Sequence, residues 1–203
     1  MTNRIFRSSL LIFAIASVIA CACNRSNTPS AQTGLTPEQQ AADAAGFKEF
    51  DGHVKDYIKL HNAMEAVIPK VKPTDLPELI NAHQQALARK IREARLGAKQ
   101  GEIFTPAAQK SFQDVVHTTM QGPRGANADA TMKQGAPLAE TSLNMNDGYP
   151  DGVPYTTVPP TLLQVFPKLP EQLVYRVVVR DLVLLDLKAN LVVDLIPGII
   201  PQP

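Results

Sequence analysis

Apolar positions fall into a helical rhythm from Thr36 onward. Phe47, Phe50, Val54, Ile58, His61, Met64 and Ile68 recur at steps of three and four, the spacing of one face of an amphipathic helix running to about Val67. Thr36-Pro37-Glu38-Gln39 is a start signal: Thr at the N-cap, Pro at N1, and Gln at N3 to complete a capping box. Gly46 and Gly52 weaken its early turns. Pro69 to Pro73 breaks the chain, and Thr74 or Asp75 is placed to cap a second helix with the stripe Leu76, Ile80, His83, Leu87, Ile91 and Ala94. Thr105-Pro106 repeats the start signal, and Ala108, Phe112, Val115, Val116 and Thr119 form a third stripe before Gly122-Pro123. Short connections favour antiparallel neighbours, so residues 36–120 read as an up-down-up three-helix unit.

The rhythm stops at residue 121. Residues 121–170 hold eight of the 17 Pro and five of the 11 Gly, with Asp-Gly, Gly-Pro and Pro-Pro pairs that mark turns and extended chain. A run this long inside a domain is expected to be at least partly ordered and to wrap the helices, with Tyr149 and Tyr155 anchoring it or lining a binding surface. From residue 171 the texture is β. Leu173 to Val179, Leu182 to Asp186 and Leu191 to Ile196 read as three strands, turning at Arg180-Asp181 and at Leu187 to Asn190. A helix over Leu187 to Leu195 is the rival, and Val192-Val193 favours the strand. Three strands are marginal alone and must pack on the helices. The fold class is α+β: three helices, a Pro/Gly-rich segment and a small antiparallel meander over residues 171–203.

The chain start has a different logic. Arg4 and Arg7 precede Leu10 to Ala20, which is apolar apart from Ser17. Eleven residues cover about half a bilayer core, so residues 1–20 have the length and flanks of a signal peptide. Val18-Ile19-Ala20-Cys21 resembles the lipobox of bacterial lipoproteins, which implies lipid attachment at Cys21 and a mature N-terminus there. The expected address is the bacterial cell envelope, lipid-anchored and periplasm-facing. Ala22 after the Cys resembles an outer-membrane signal. The alternative is an ordinary secretory signal cut near the same place. Asn24 to Gly34 is small and polar, so residues 21–35 read as lipid-bearing Cys and tether.

Composition narrows function by exclusion. Cys21 and Cys23 are the only cysteines, so the body has no disulfide, CxxC pair or thiolate metal site. Lys+Arg number 20 and Asp+Glu 19, a balance that argues against nucleic acid as a partner. Helix two carries Arg89, Lys90, Arg92, Arg95 and Lys99, a set suited to phosphate groups, anionic lipid or an acidic partner, or simply to a solvated face. No Gly-x-Ser-x-Gly elbow, GxGxxG or P-loop occurs. Asp147, Asp151, Asp181, Asp186 and Asp194 supply carboxylates, which leaves a hydrolase as a third reading behind a binding module and a metal protein.

The histidines carry the metal reading. His61 and His83 fall on facing stripes, and a hairpin about Pro69 to Pro73 brings them opposite each other. Two neutral imidazoles are candidate ligands for a divalent cation, with Glu65 at i+4 from His61. Glu49, His53 and Asp56 form a second cluster on helix one. Tyr175 to Val179, Asp181 to Asp186 and Leu191 to Val193, after Leu169-Pro170, resemble the C-terminal hairpin of the RcnB-like periplasmic proteins of nickel and cobalt homeostasis. Ala189-Asn190 stands where that pattern has Thr-Gly. Ala82-His83, Ala86 to Ala88, Ile91 to Arg95 and Gly101 to Pro106 are similar to uncharacterised bacterial exported lipoproteins. The leading expectation is a non-catalytic accessory or interaction module of the envelope, held to the membrane by its lipid and contacting an envelope protein through the Pro/Gly segment and meander.

Overall fold

The computed structural model describes residues 36–72, 76–121, 125, 143–150 and 156–201. Cys21 and Tyr155, and the signal and tether readings, lie outside the described residues. Helix α1 spans Pro37–Ala66, α2 Pro77–Ala94 and α3 Pro106–Gln121. A two-residue strand β1 (Thr156–Thr157) and a one-turn helix α4 (Pro160–Leu163) precede β2 (Leu173–Val178), β3 (Asp181–Asp186) and β4 (Leu191–Ile196). The sheet order is β1-β2-β3-β4, antiparallel throughout. The α+β class and the meander are therefore present, with β1 added at the β2 edge.

Local signals set the helix ends. The capping box of α1 forms in full: the Thr36 hydroxyl accepts from the Gln39 N–H at 3.2 Å, and the Gln39 side chain accepts from the Thr36 N–H at 2.8 Å. Thr105 caps α3 through the Ala108 N–H at 3.3 Å. Helix α2 departs from expectation. Its N-cap is Leu76, with no side-chain cap, rather than Thr74 or Asp75, because Pro77 occupies the first helical position. Its stripe is buried only at Leu87 and Ile91; Leu76 and Ile80 stay 51% exposed, and Ala94 is exposed as well.

Gly46 has a use the sequence hides. A Cβ there would stand 2.2 Å from the Ser111 hydroxyl and 2.7 Å from the Ala107 carbonyl, so Gly46 is what lets α1 and α3 approach. All five phenylalanines after residue 20, Phe47, Phe50, Phe104, Phe112 and Phe166, meet with Tyr175 in one cluster of edge-on and stacked rings. That cluster joins the helices to one face of the sheet. The opposite face buries Val178, Val183, Leu185, Val192 and Leu195 together with Tyr149. Tyr149 is 7% exposed there.

Three details of the sheet differ from expectation or sharpen it. The β2–β3 turn is Val179-Arg180, one residue earlier than Arg180-Asp181, because Asp181 still pairs with Val178 and the Arg180 backbone and side chain are bound by Ile200. Residues 191–196 are strand, not helix. A register shift opposite Leu184/Leu185 inserts one extra residue in β4. Before it, Leu191 and Val193 join the helix-side core; after it, Ile196 does. The bulge thus reverses the alternation and places Asp194 on the helix side too, beside Val193.

Candidate functional site

One buried polar network lies where α1 meets the end of β3. Asp186 is fully buried, an exception within a strand of otherwise apolar burial. Its Oδ2 accepts the Tyr57 hydroxyl at 2.7 Å and meets His61 Nδ1 at 2.6 Å, and its Oδ1 accepts the Ala189 N–H at 2.9 Å. Tyr57 and His61 are four residues apart on α1 and so share a face. Burial, and then the neighbouring Asp186, raise the Tyr57 hydroxyl pKa far above its ordinary value, so this group is a donor. With Asp186 accepting from every neighbour, the network assigns the ring proton of His61 to Nδ1. The other ring nitrogen, Nε2, is buried without a hydrogen-bond partner. It lies 3.6 Å from Glu65 Oε2, and Glu65 is in turn bound by Lys188 at 3.0 Å.

An aspartate–histidine pair of this kind fixes a tautomer and aims one nitrogen. The neighbour here is a carboxylate.

His83 comes to the same end of the helical hairpin. Its Nδ1 is 3.2 Å from the Pro69 carbonyl oxygen. It lines a groove of about 410 Å³ with Asn62, Glu65, Ala66, Lys70 and Val71. The hairpin thus brings His83 alongside Glu65, and it gives each histidine its own separate acceptor. Among the described residues, no three His, Cys, Asp or Glu side chains are already grouped to hold a metal. His53 and Asp56 line a wider groove of about 560 Å³ with Tyr57, Arg95 and Glu102; Asp56 there pairs with Lys59 at 2.7 Å.

The basic run of α2 separates into distinct roles. Arg95 is not a solvated cation: it is 8% exposed and lies 5.3 Å over the Tyr57 ring. It donates to the Asn146 side chain at 2.8 Å and to the Val193 carbonyl at 3.1 Å. The Asn146 amide returns a bond to the Arg95 carbonyl at 2.9 Å, and Arg92 donates to the Asn146 carbonyl at 2.8 Å. Residue 146 can serve this way because Asn tolerates its φ of 62°. Lys90 pairs with Glu93.

Residues 143–150 therefore do not wrap the helices generally. They lie along the β4 edge, through Asn146 N–H to Val192 O and Val192 N–H to Asp147 O, both at 2.9 Å, and are tied to α2 by two arginines. This junction leaves a third groove, of about 450 Å³. Asn81, Gln84, Gln85, Arg89, Arg92 and Asn190 present amide and guanidinium groups to it; Ala88, Gly148 and Ala189 complete the lining. No carboxylate is among these residues.

Sequence reasoning picked out His61, His83 and Glu65 but missed Tyr57 and the inward role of Arg95. Tyr57 stands one step before Ile58 on the apolar stripe and four before His61, which is the signal that was there to find. Among the described residues no helix is long and apolar enough to cross a membrane. No protein-family model matches the chain, and no curated protein or solved structure matches it significantly.

Proposed function

We propose that this chain is a lipid-anchored accessory protein of the bacterial cell envelope that faces the periplasm and holds an acidic segment of an envelope partner. The signal-like residues 1–20 and the lipobox-like Val18 to Cys21 support the anchor. One observation carries the binding role: the groove between α2, residues 143–150 and the β3–β4 turn. It offers two guanidinium groups and four carboxamides with no carboxylate in its lining, so its field and its donors both favour an anion. It also forms where the Pro/Gly-rich segment meets the meander.

Arg89 is the probe residue, since Arg92 is engaged with Asn146. A fluorescent oligo-glutamate peptide titrated against the full chain binds in fluorescence anisotropy, more weakly at higher salt. Arg89→Glu reduces the affinity roughly tenfold or more by replacing attraction with repulsion. Equal binding by wild type and Arg89→Glu would overturn the groove assignment. The anchor is tested separately by membrane fractionation: Cys21→Ser moves the protein to the soluble periplasmic fraction. Wild-type levels of membrane association in that variant would sink the lipoprotein reading without touching the groove.

A further inference from the structure

We infer that the tip of the α1–α2 hairpin docks onto an anionic lipid surface. This end of the molecule carries a groove that shares no lining residue with the anion groove. Of the ten large apolar side chains exposed among the described residues, six gather here: Val67, Val71, Leu76, Leu79, Ile80 and Leu187, each 39 to 66% exposed. Apolar residues exposed singly are ordinary, whereas a group of them in one place marks a contact surface. Short contacts hold the group together. The His83 ring lies 3.2 Å from the Pro69 carbonyl oxygen, which fastens α2 to the hairpin connection. Leu79 and Ile80 precede His83 by four and three residues and share its helix face. Val71 lines the same groove as His83, and the Leu187 carbonyl oxygen lies 3.5 Å from the Gln84 amide.

Charge selects the occupant. Lys70 and Lys72 flank Val71, and both are exposed. Of the described acids at this end, Glu65 is neutralised by Lys188 at 3.0 Å. Glu78 stands two residues before Ile80, a turn of about 200°, which puts it on the opposite side of α2. The surface is therefore apolar with a positive fringe. A second copy of the chain would bring the same positive fringe, and an acidic peptide would answer the lysines but not the aliphatic group. An anionic bilayer meets both parts. The aliphatic side chains enter the boundary between headgroups and acyl chains, while the lysine stems keep their ammonium groups among the phosphates.

The chain has no tryptophan, so one introduced indole reports its own surroundings. In the full chain, Ile80→Trp is compared with Leu96→Trp, a position 89% exposed beyond the other end of α2. The vesicles contain phosphatidylglycerol and phosphatidylethanolamine with brominated acyl chains, which quench only an indole that reaches the acyl boundary. The Ile80→Trp emission shifts to the blue and is quenched roughly twofold or more, while the Leu96→Trp emission does not change. Reading depth at residue 80 separates the hairpin tip from any other attachment of the chain. Lys70→Glu together with Lys72→Glu reduces the quenched fraction several-fold, as does replacing phosphatidylglycerol by phosphatidylcholine, with circular dichroism showing the fold retained. No quenching of Ile80→Trp, equal quenching of Leu96→Trp, or quenching indifferent to the two lysines overturns the inference. So does a blue shift that appears without vesicles and grows with protein concentration, the mark of a second copy on this surface.

Discussion

Two aspartates on neighbouring strands, Asp186 and Asp194, are both fully buried and both turned toward the helices, yet they take different kinds of partner. Asp194 takes main-chain donors only. Its oxygens accept the N–H groups of Gly101, Ile103 and Phe104 at 2.8 to 3.0 Å, and that of Leu195 at 2.8 Å. It fastens the α2–α3 connection to β4 and leaves nothing over. Asp186 takes one main-chain donor and two side chains, Tyr57 and His61, and one of these has a second nitrogen to offer. The partner, not the burial, separates a structural latch from a group that aims chemistry. A carboxylate saturated by backbone has no further use, while one that orients an imidazole creates a directed lone pair.

The comparison breaks most visibly at Asp194. Asp194→Ala strips three loop N–H groups of their acceptor and is expected to cost about 4 kcal/mol, since each stranded buried donor costs on the order of 1–3 kcal/mol. For a domain of this size that is a fall of about 10 °C in Tm, read by circular dichroism. The His61 ring signals in NMR of the folded fraction stay where they are. A loss under 1 kcal/mol would mean the loop finds other acceptors and that Asp194 is no latch.

Asp186→Ala is expected to cost less, about 3 kcal/mol, because one main-chain donor and two adjustable side chains lose their acceptor. Here the His61 ring signals move, since the group that holds Nδ1 is gone. Unmoved signals would show that packing, rather than Asp186, sets the ring.

A third buried carboxylate sharpens the series from the weak side. Asp43 is 6% exposed, with Oδ2 unpartnered, and burial followed by the nearby Asp114 holds its carboxyl above the ordinary 3.8. A carboxyl raised by folding is one whose charged form the fold disfavours. Asp43 therefore costs stability at neutral pH, and that cost fades as pH falls through its folded value toward 3.8. Asp43→Asn is expected to stabilise the protein by about 1 kcal/mol at pH 7 in urea unfolding, with the gain vanishing in acid. Destabilisation at pH 7 would place Asp43 with the satisfied pair.

Much of the scaffold was legible because it is written locally. The Thr36 capping box, Pro77 and Pro106 at helix starts, and β-branched runs bounded by turns act over a few residues, so periodicity and caps found α1, α3 and β2 to β4. The misreadings have long-range causes. The sequence showed Gly46 as a weak point, yet Ser111 and Ala107 of a separate helix make it necessary. The α2 stripe was periodic from Leu76, but only Leu87 and Ile91 of it meet neighbours that bury them. Arg95 looked like one cation among five until Tyr57, Asn146 and Val193 enclosed it.

The chain by itself determined the α+β class, the starts of α1 and α3, the positions of β2 to β4 and the absence of cysteine chemistry beyond residue 23, because each follows from composition or short-range pattern. Only the tertiary structure decided which polar residues act together. His61 and Asp186 are separated by 125 residues and meet because α1 packs across β3. Asp194 reaches the loop because one extra residue in β4 reverses which side of the strand faces the helices. Pairings at that distance depend on register and packing, and no local signal in the sequence carries them.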